Sequence, residues 1–381
     1  MTPTPFTIDI DEDILIDLRE RLARVRWPDE IPGSEWQYGT DLTYLQTLIE
    51  YWHDAYNWRA HENTLNQFQH FTAPVAGIDL HFIHETGNGP DPLPLLLMHG
   101  WPGSVWEFYK VLPMLTDPAR FGGNARDAFT VVAPSLPGYG FSYRPNQPRF
   151  DRVAMADAVA TLMTECLGYS RYGVQGGDIG AGVAARLGAA HPDQLHGMHL
   201  NFLSLLRDEG QAGSRTAEES RYVEDLEHWL TEETGYQGIQ GTKPQTLSYG
   251  LTDSPVGLAA WIVEKFRGWS DCSGDVEQCF SKDDLLTAVM LYWATGAINT
   301  SFWPYYARRH GDWDAAAGPR IEVPTAYIAF PCEIIRPPRS MAERVFNIQR
   351  WTTKERGGHF AALEQPEALV EDIRAFFRSF R

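Results

Sequence analysis

Val-Gln-Gly-Gly-Asp-Ile-Gly, residues 174–180, decides how this chain is read. An apolar strand over Arg171–Gln175 runs into paired glycines, and a helix rich in small residues, Ala181–Ala190, follows. Strand, sharp turn and helix in that order form a nucleophile elbow, which lifts one side chain above the end of a parallel sheet. The residue lifted here is Asp178, where Ser is the usual occupant, and no G-x-S-x-G occurs in the chain. A carboxylate is already ionised at neutral pH and attacks an electrophilic sp³ carbon without prior deprotonation. The ester it then carries has a carbonyl open to hydrolysis. The expected chemistry is therefore opening of an epoxide or cleavage of a carbon–halogen bond, not that of an ordinary serine esterase.

Strands and helices alternate on both sides of the elbow. Ile78–His84 alternates as a strand, and Pro94–Met98 is a short buried strand ending at His99-Gly100-Trp101-Pro102-Gly103. Trp106–Leu115 reads as a helix, Ala128–Ala133 as a strand, Val153–Leu167 as a helix and Gly197–Asn201 as a strand. After a break, Thr325–Phe330 and Phe346–Lys354 read as strands, and Pro366–Phe380 closes the chain as an amphipathic helix. Such alternation predicts an α/β fold with a mostly parallel sheet flanked by helices. Residues 76–204 are its first part and 311–381 its last. Residues 205–310, helical and without a clear strand, are expected to be a lid over the strand C-termini, where open α/β sheets bind ligands. Residues 1–75 form an N-terminal extension with helical spacing over Asp11–Val25 and Leu42–Tyr56. Its many aromatic residues are expected to pack against the core and lid.

Composition narrows the function class. Net charge is −18, and such an acidic surface repels a nucleic-acid backbone. The four cysteines (Cys166, Cys272, Cys279, Cys332) form no C-x-x-C pair and have no histidine at metal-ligand spacing, which argues against zinc. Reduced thiols are expected, although Cys272 and Cys279 are near enough in sequence to bridge. The N-terminus has no basic stretch leading into an apolar run, and no run of about 18 apolar residues occurs. A soluble, cytoplasmic protein without a membrane anchor is expected.

Three further groups complete the expected chemistry. His359, in Gly357-Gly358-His359-Phe360, follows the last strand on a glycine loop that can bring an imidazole to the elbow as general base. Glu333, just past the penultimate strand, is the candidate acid that orients it, and the chain order nucleophile, acid, histidine suits this architecture. The amides of Trp101 and Ile179 are candidates for an oxyanion hole. A leaving alkoxide also needs a neutral phenol as donor, and the residues alone do not select among sixteen tyrosines.

The chain resembles microsomal-type epoxide hydrolases of the α/β-hydrolase fold, with their N-terminal epoxide-hydrolase extension. The matches run in one order along almost the whole length. They include Trp27-Pro28-Asp29, the region Tyr51–Glu85, His99-Gly-Trp-Pro-Gly103, Pro137-Gly-Tyr-Gly-Phe-Ser142 and Gln175-Gly-Gly-Asp178. Later come Thr242-Lys-Pro, Asp253-Ser-Pro-Val-Gly-Leu-Ala-Ala260, Glu264-Lys-Phe, Phe330-Pro331-x-Glu333 and Arg356-Gly-Gly-His-Phe-Ala-Ala362. The resemblance implies a hydrolase acting on an ether bond, with two lid tyrosines. These fall on Tyr236, in Thr234-Gly235-Tyr236, and on Tyr305, next to Tyr306 in a stretch that departs from the family's usual basic-aromatic form. It implies a small-molecule epoxide as substrate, permits a bulky or aromatic one, and calls for no cofactor and no metal. Detoxification and secondary-metabolite biosynthesis are both roles of such relatives, and a homodimer is an expectation by analogy. Haloalkane dehalogenation is the alternative reaction. Ile179 weighs against it, because dehalogenases commonly place a halide-binding Trp there.

Overall fold

The computed structural model describes residues 2–205, 215–311 and 313–381. Nine strands form one sheet: β1 (Thr4–Phe6), β2 (His70–Val75), β3 (Ile78–Glu85), β4 (Leu93–Met98), β5 (Phe129–Pro134), β6 (Tyr172–Gly176), β7 (Leu195–Leu200), β8 (Ile321–Ala329) and β9 (Phe346–Thr353). They lie in the order β1-β2-β3-β5-β4-β6-β7-β8-β9. From β5 through β9 every pairing is parallel, whereas β1, β2 and β3 join antiparallel at one edge. This is the α/β-hydrolase fold, and it places β6, with the elbow at its end, at the centre of the sheet. Central strands must be apolar on both faces, and β4 and β5 are buried along nearly their whole length.

The sequence reading and the structure differ where short polar or proline-containing segments are ordered by their neighbours. β1 has three residues, and β2 carries Pro74, which lacks a ladder donor and disguises a strand. Trp58–Leu65 is a further helix of the N-terminal segment. The single helix expected over Trp106–Leu115 is instead a 3₁₀ turn, Val105–Phe108, followed by the helix Val111–Thr116. The helix Arg152–Thr161 ends in a π-turn, Leu162–Cys166. Between β7 and β8 stand the helices Ala217–Glu232, Gly235–Thr242, Pro244–Asp253, Pro255–Gly268, Lys282–Thr295, Ile298–Ser301 and Trp303–Arg309. Of the stretch read as a lid, 206–214 lies outside the described residues. The four cysteines are free thiols.

The N-terminal segment is held to the core by a buried polar chain. His70 Nε2 lies 2.8 Å from the Leu65 carbonyl, His70 Nδ1 2.9 Å from His81 Nε2, and His81 Nδ1 2.9 Å from Ser135 Oγ. Burial disfavours the cation on both rings and lowers both pKa values, that of His81 well below the ordinary imidazole value. The linkage has one sign. The unfolded rings take up protons near pH 6.5 and the folded ones do not, so this share of stability is intact above pH ~6.5 and lost as pH falls below it. Thermal melts should show the melting temperature falling between pH 7 and pH 5, with a smaller fall in His70→Gln. A melting temperature flat over that range would contradict this account.

Candidate active site

β6 ends at Gly176 and the helix Asp178–Ala190 begins two residues later, so the chain must reverse within the turn. Asp178 absorbs the reversal in the left-handed region, at φ +44°, a strained conformation for a residue with a Cβ. Close packing fixes the turn. A Cβ on Gly180 would lie 2.4 Å from the Met98 carbonyl oxygen, and one on Gly100 would lie 2.2 Å from Asp178 Oδ1. Glycine at these positions lets the helix and the β4 loop close around the carboxylate.

The two carboxylate oxygens meet different groups. Oδ1 accepts a hydrogen bond from the Trp101 amide at 2.8 Å. Oδ2 faces His359 Nε2 at 3.6 Å. Of the two amides expected near this carboxylate, that of Trp101 bonds it; the Ile179 amide makes no hydrogen bond to it. On the far side of the imidazole, Nδ1 lies 2.6 Å from Glu333 Oε1, which also accepts from the Ile334 amide at 2.8 Å. Glu333 and His359 are both buried.

Backbone contacts set this alignment. The Cys332 amide donates to the Gly357 carbonyl at 3.0 Å, tying the Glu333 loop to the histidine loop, and the His359 amide donates to the Trp269 carbonyl at 2.8 Å. Burial alone would favour the neutral imidazole, but the charges of Glu333 and Asp178 outweigh it and raise the His359 pKa well above the ordinary value.

The helices between β7 and β8 bring two phenols to the same carboxylate. Tyr236 and Tyr305 line one cavity with Asp178 and Ile179. Tyr236 is buried and stacks on Trp101 at 5.3 Å, and the Tyr305 ring stands edge-on to both, 5.8 Å from each. Burial first, then the charge of Asp178, pushes both phenols well above their ordinary pKa, so both keep their protons at neutral pH. Tyr306 is placed elsewhere, stacked on Trp303 and His310. The structure thus brings Asp178, His359, Glu333, Trp101, Tyr236 and Tyr305 together.

Comparison with known proteins fits this geometry. The sequence profile described as "Epoxide hydrolase N terminus" matches residues 3–108, and that of the "alpha/beta hydrolase fold" matches residues 94–212. Epoxide hydrolase 1 of Sus scrofa is 37% identical over 400 residues, covering 98% of this chain and 88% of its own. This chain belongs to the epoxide hydrolase family. Solved structures agree with that assignment. The epoxide hydrolase of Aspergillus niger superposes with a TM-score of 0.88 at 31% identity, covering all of this chain and 97% of its own. The juvenile hormone epoxide hydrolase of the silkworm Bombyx mori gives the same score and identity and covers 95% of its own chain.

This epoxide hydrolase also carries a site residue that the sequence reading missed. Glu107, on the turn Val105–Phe108, lines a small cavity shared with Asp178 and His359. Its Oε1 fills the space where a Cβ on Gly103 would be, 1.4 Å away. Burial, with the charge of Asp178 reinforcing and that of His359 opposing, pushes its carboxyl up to about 8. The available signal was an acid standing alone among Val105, Trp106 and Phe108, which a helical reading places on a solvent face. Among the described residues of the epoxide hydrolase, no group of three or more His, Cys, Asp or Glu is placed to hold a metal ion, and no helix is long and apolar enough to cross a membrane.

Proposed function

We propose that the enzyme converts a bulky or aromatic epoxide and water to a vicinal diol through a covalent ester on Asp178. The observation that carries this reading is the split environment of one carboxylate. Oδ1 is held by the Trp101 amide, Oδ2 faces His359, and the residue lines the same cavity as the two phenols. Oδ2 attacks the less hindered ring carbon as the C–O bond breaks. Tyr236 and Tyr305 hydrogen-bond the departing oxygen and deliver its proton. His359, oriented by Glu333, then takes a proton from water, and the resulting hydroxide attacks the ester carbonyl. The oxyanion forms on the oxygen already bonded to the Trp101 amide, which needs little reorganisation. Its collapse breaks the ester C–O bond, releases the diol and restores the Asp178 carboxylate, and the proton held by His359 returns to the phenolate. The helices between β7 and β8 serve as the lid that carries both tyrosines.

Charge makes the two steps sequential. In the free enzyme, His359 lies between the anions of Asp178 and Glu333, which favour the imidazolium. Esterification neutralises Asp178 and removes one of them. The imidazole pKa falls, and the base becomes competent only once there is an ester to hydrolyse.

The second reading is haloalkane cleavage by the same Asp178. A halide is held by indole N–H groups, and Trp101 Nε1 is buried with no hydrogen-bond partner among the described residues. One assay separates the two. Aryl and alkyl epoxides should yield diol, and matched chloroalkanes should release no chloride. Tyr236→Phe and Tyr305→Phe should each slow ring opening by roughly 10- to 100-fold, since the other phenol remains, and the double variant by roughly 10²- to 10⁴-fold, the usual worth of a positioned proton donor. Chloride release unaffected by the double substitution would favour the dehalogenase.

A further inference from the structure

The cavity that holds the two phenols has an apolar side and a polar one, the latter carrying Asp178, Ser204, Gln237 and the guanidinium groups of Arg152 and Arg308. Phe202, Trp229, Pro304, Ile334 and Ile335 form its apolar side. Arg308 stands three residues after Tyr305 on the helix Trp303–Arg309, so both project from one helix face into one cavity.

Arg308 is an unusual occupant of such a cavity. Among the described residues its guanidinium has no hydrogen bond and no ion pair. Burial and the nearby Arg152 both act against its charge. Several polar groups around it are engaged elsewhere. Arg152 donates to the Trp313 carbonyl at 2.9 Å. Asp314, the carboxylate whose charge favours Arg308, caps its own turn by accepting from the Ala316 amide at 3.1 Å. Gln237 donates to the Tyr236 hydroxyl at 2.8 Å. An unmatched, half-buried guanidinium costs stability, all the more where a like charge adjoins it. That cost is offset when a ligand supplies the acceptor, and a guanidinium fork pairs bidentately with a carboxylate, as it does with a phosphate.

We infer that Arg308 is a specificity-determining residue and that the preferred substrates are epoxides whose apolar body ends in a carboxylate. This rests on the epoxide-hydrolase reading of the same cavity. The apolar wall takes the body of the substrate, Arg308 takes the carboxylate, and the epoxide is left between Asp178 and the phenols. On a chain of net charge −18, a local cation offsets the repulsion that an anionic substrate meets.

The test uses ω-epoxyalkanoates of increasing chain length, each paired with its methyl ester. Apart from the ester methyl, the members of a pair differ only in charge. For at least one chain length, kcat/KM should be 10-fold or more higher for the acid than for its ester, mostly through KM, and the ratio should shrink as salt is raised. In Arg308→Met the acid-to-ester ratio should fall at least 10-fold, and Arg308→Lys should recover part of it. Octanoate should inhibit the wild type more strongly than octanamide, and Arg308→Met should lose that difference. Acid-to-ester ratios equal in wild type and Arg308→Met at every chain length would overturn the inference. So would an Arg308→Met variant that slows acids and esters by the same factor, since Arg308 would then act through the tyrosines. Diol formed from the esters establishes the underlying hydrolase reading independently. No diol from any acid or ester would overturn that reading, and this inference with it.

Discussion

Replacing Asp178 by Asn is expected to reduce diol formation by at least ~10⁴-fold, the scale on which removing a covalent nucleophile acts. Asn is the sharper substitution because it keeps the shape of the side chain. Its amide oxygen can still accept from the Trp101 amide, as Oδ1 does at 2.8 Å. Asn also tolerates the left-handed backbone better than most residues, so the φ of +44° at position 178 need not change. What is lost is the charge and the nucleophile, and intact-protein mass spectrometry should find no adduct with the substrate. Asp178→Ala should lose activity on the same scale while also vacating the hydrogen bond. The Asn variant further removes an anion that acts on both Glu107 and His359. Taking it away should lower both pKa values, which a titration of the His359 ring by NMR would register as a downward shift. Diol formed by the Asn variant at more than about a hundredth of the wild-type rate would remove Asp178 from the nucleophile's role.

The elbow was legible because its constraints are local. Gly176, Gly177 and Gly180 around one acid have few explanations other than a turn in which a Cβ would collide, and the collisions are there. Glu333 and His359 were legible for a different reason. Each follows a strand of a parallel sheet, and parallel strands deliver their C-terminal loops to one edge. The two loops are in fact joined by the Cys332–Gly357 hydrogen bond. The tyrosines were not readable from the residues, since helical periodicity marks a buried face but not which of its tyrosines looks into the site. Resemblance selected Tyr236 and Tyr305, and packing separates Tyr305 from Tyr306. Glu107 and Arg308 stayed hidden because both are charged residues on helical turns, where the ordinary reading is solvent. The short strands β1 and β2 were hidden because pairing, β1 on β2 and β2 on β3, and not their own composition, makes them strands.

His359→Gln should separate the two chemical steps. Attack by Asp178 requires only the carboxylate, the Trp101 amide and the two phenols, none of which passes through position 359. Ester formation should therefore persist at a rate within about 10-fold of wild type. Hydrolysis loses its base, and kcat should fall by roughly 10²- to 10⁴-fold, the usual worth of a positioned general base. The protein should accumulate with its mass increased by that of one substrate molecule, and KM should fall as the slow step moves after the ester. A variant that turns over at the wild-type rate with no adduct would show that another group activates the water. Glu107 is the nearest rival, since its carboxyl lines the same cavity; pushed up to about 8 in the free enzyme, it must first lose its proton to act as base, which esterification favours by removing the Asp178 charge that raises it. The wild-type pH dependence tests the same logic. Both anions beside His359 raise its pKa in the free enzyme, and one of them is lost on esterification. The acid limb of ester hydrolysis, measured in single turnovers, should therefore lie at lower pH than the titration of the His359 ring in the free enzyme. Coincidence of the two would mean that the Asp178 charge does not act on the base, and that the order of the steps is set by geometry alone.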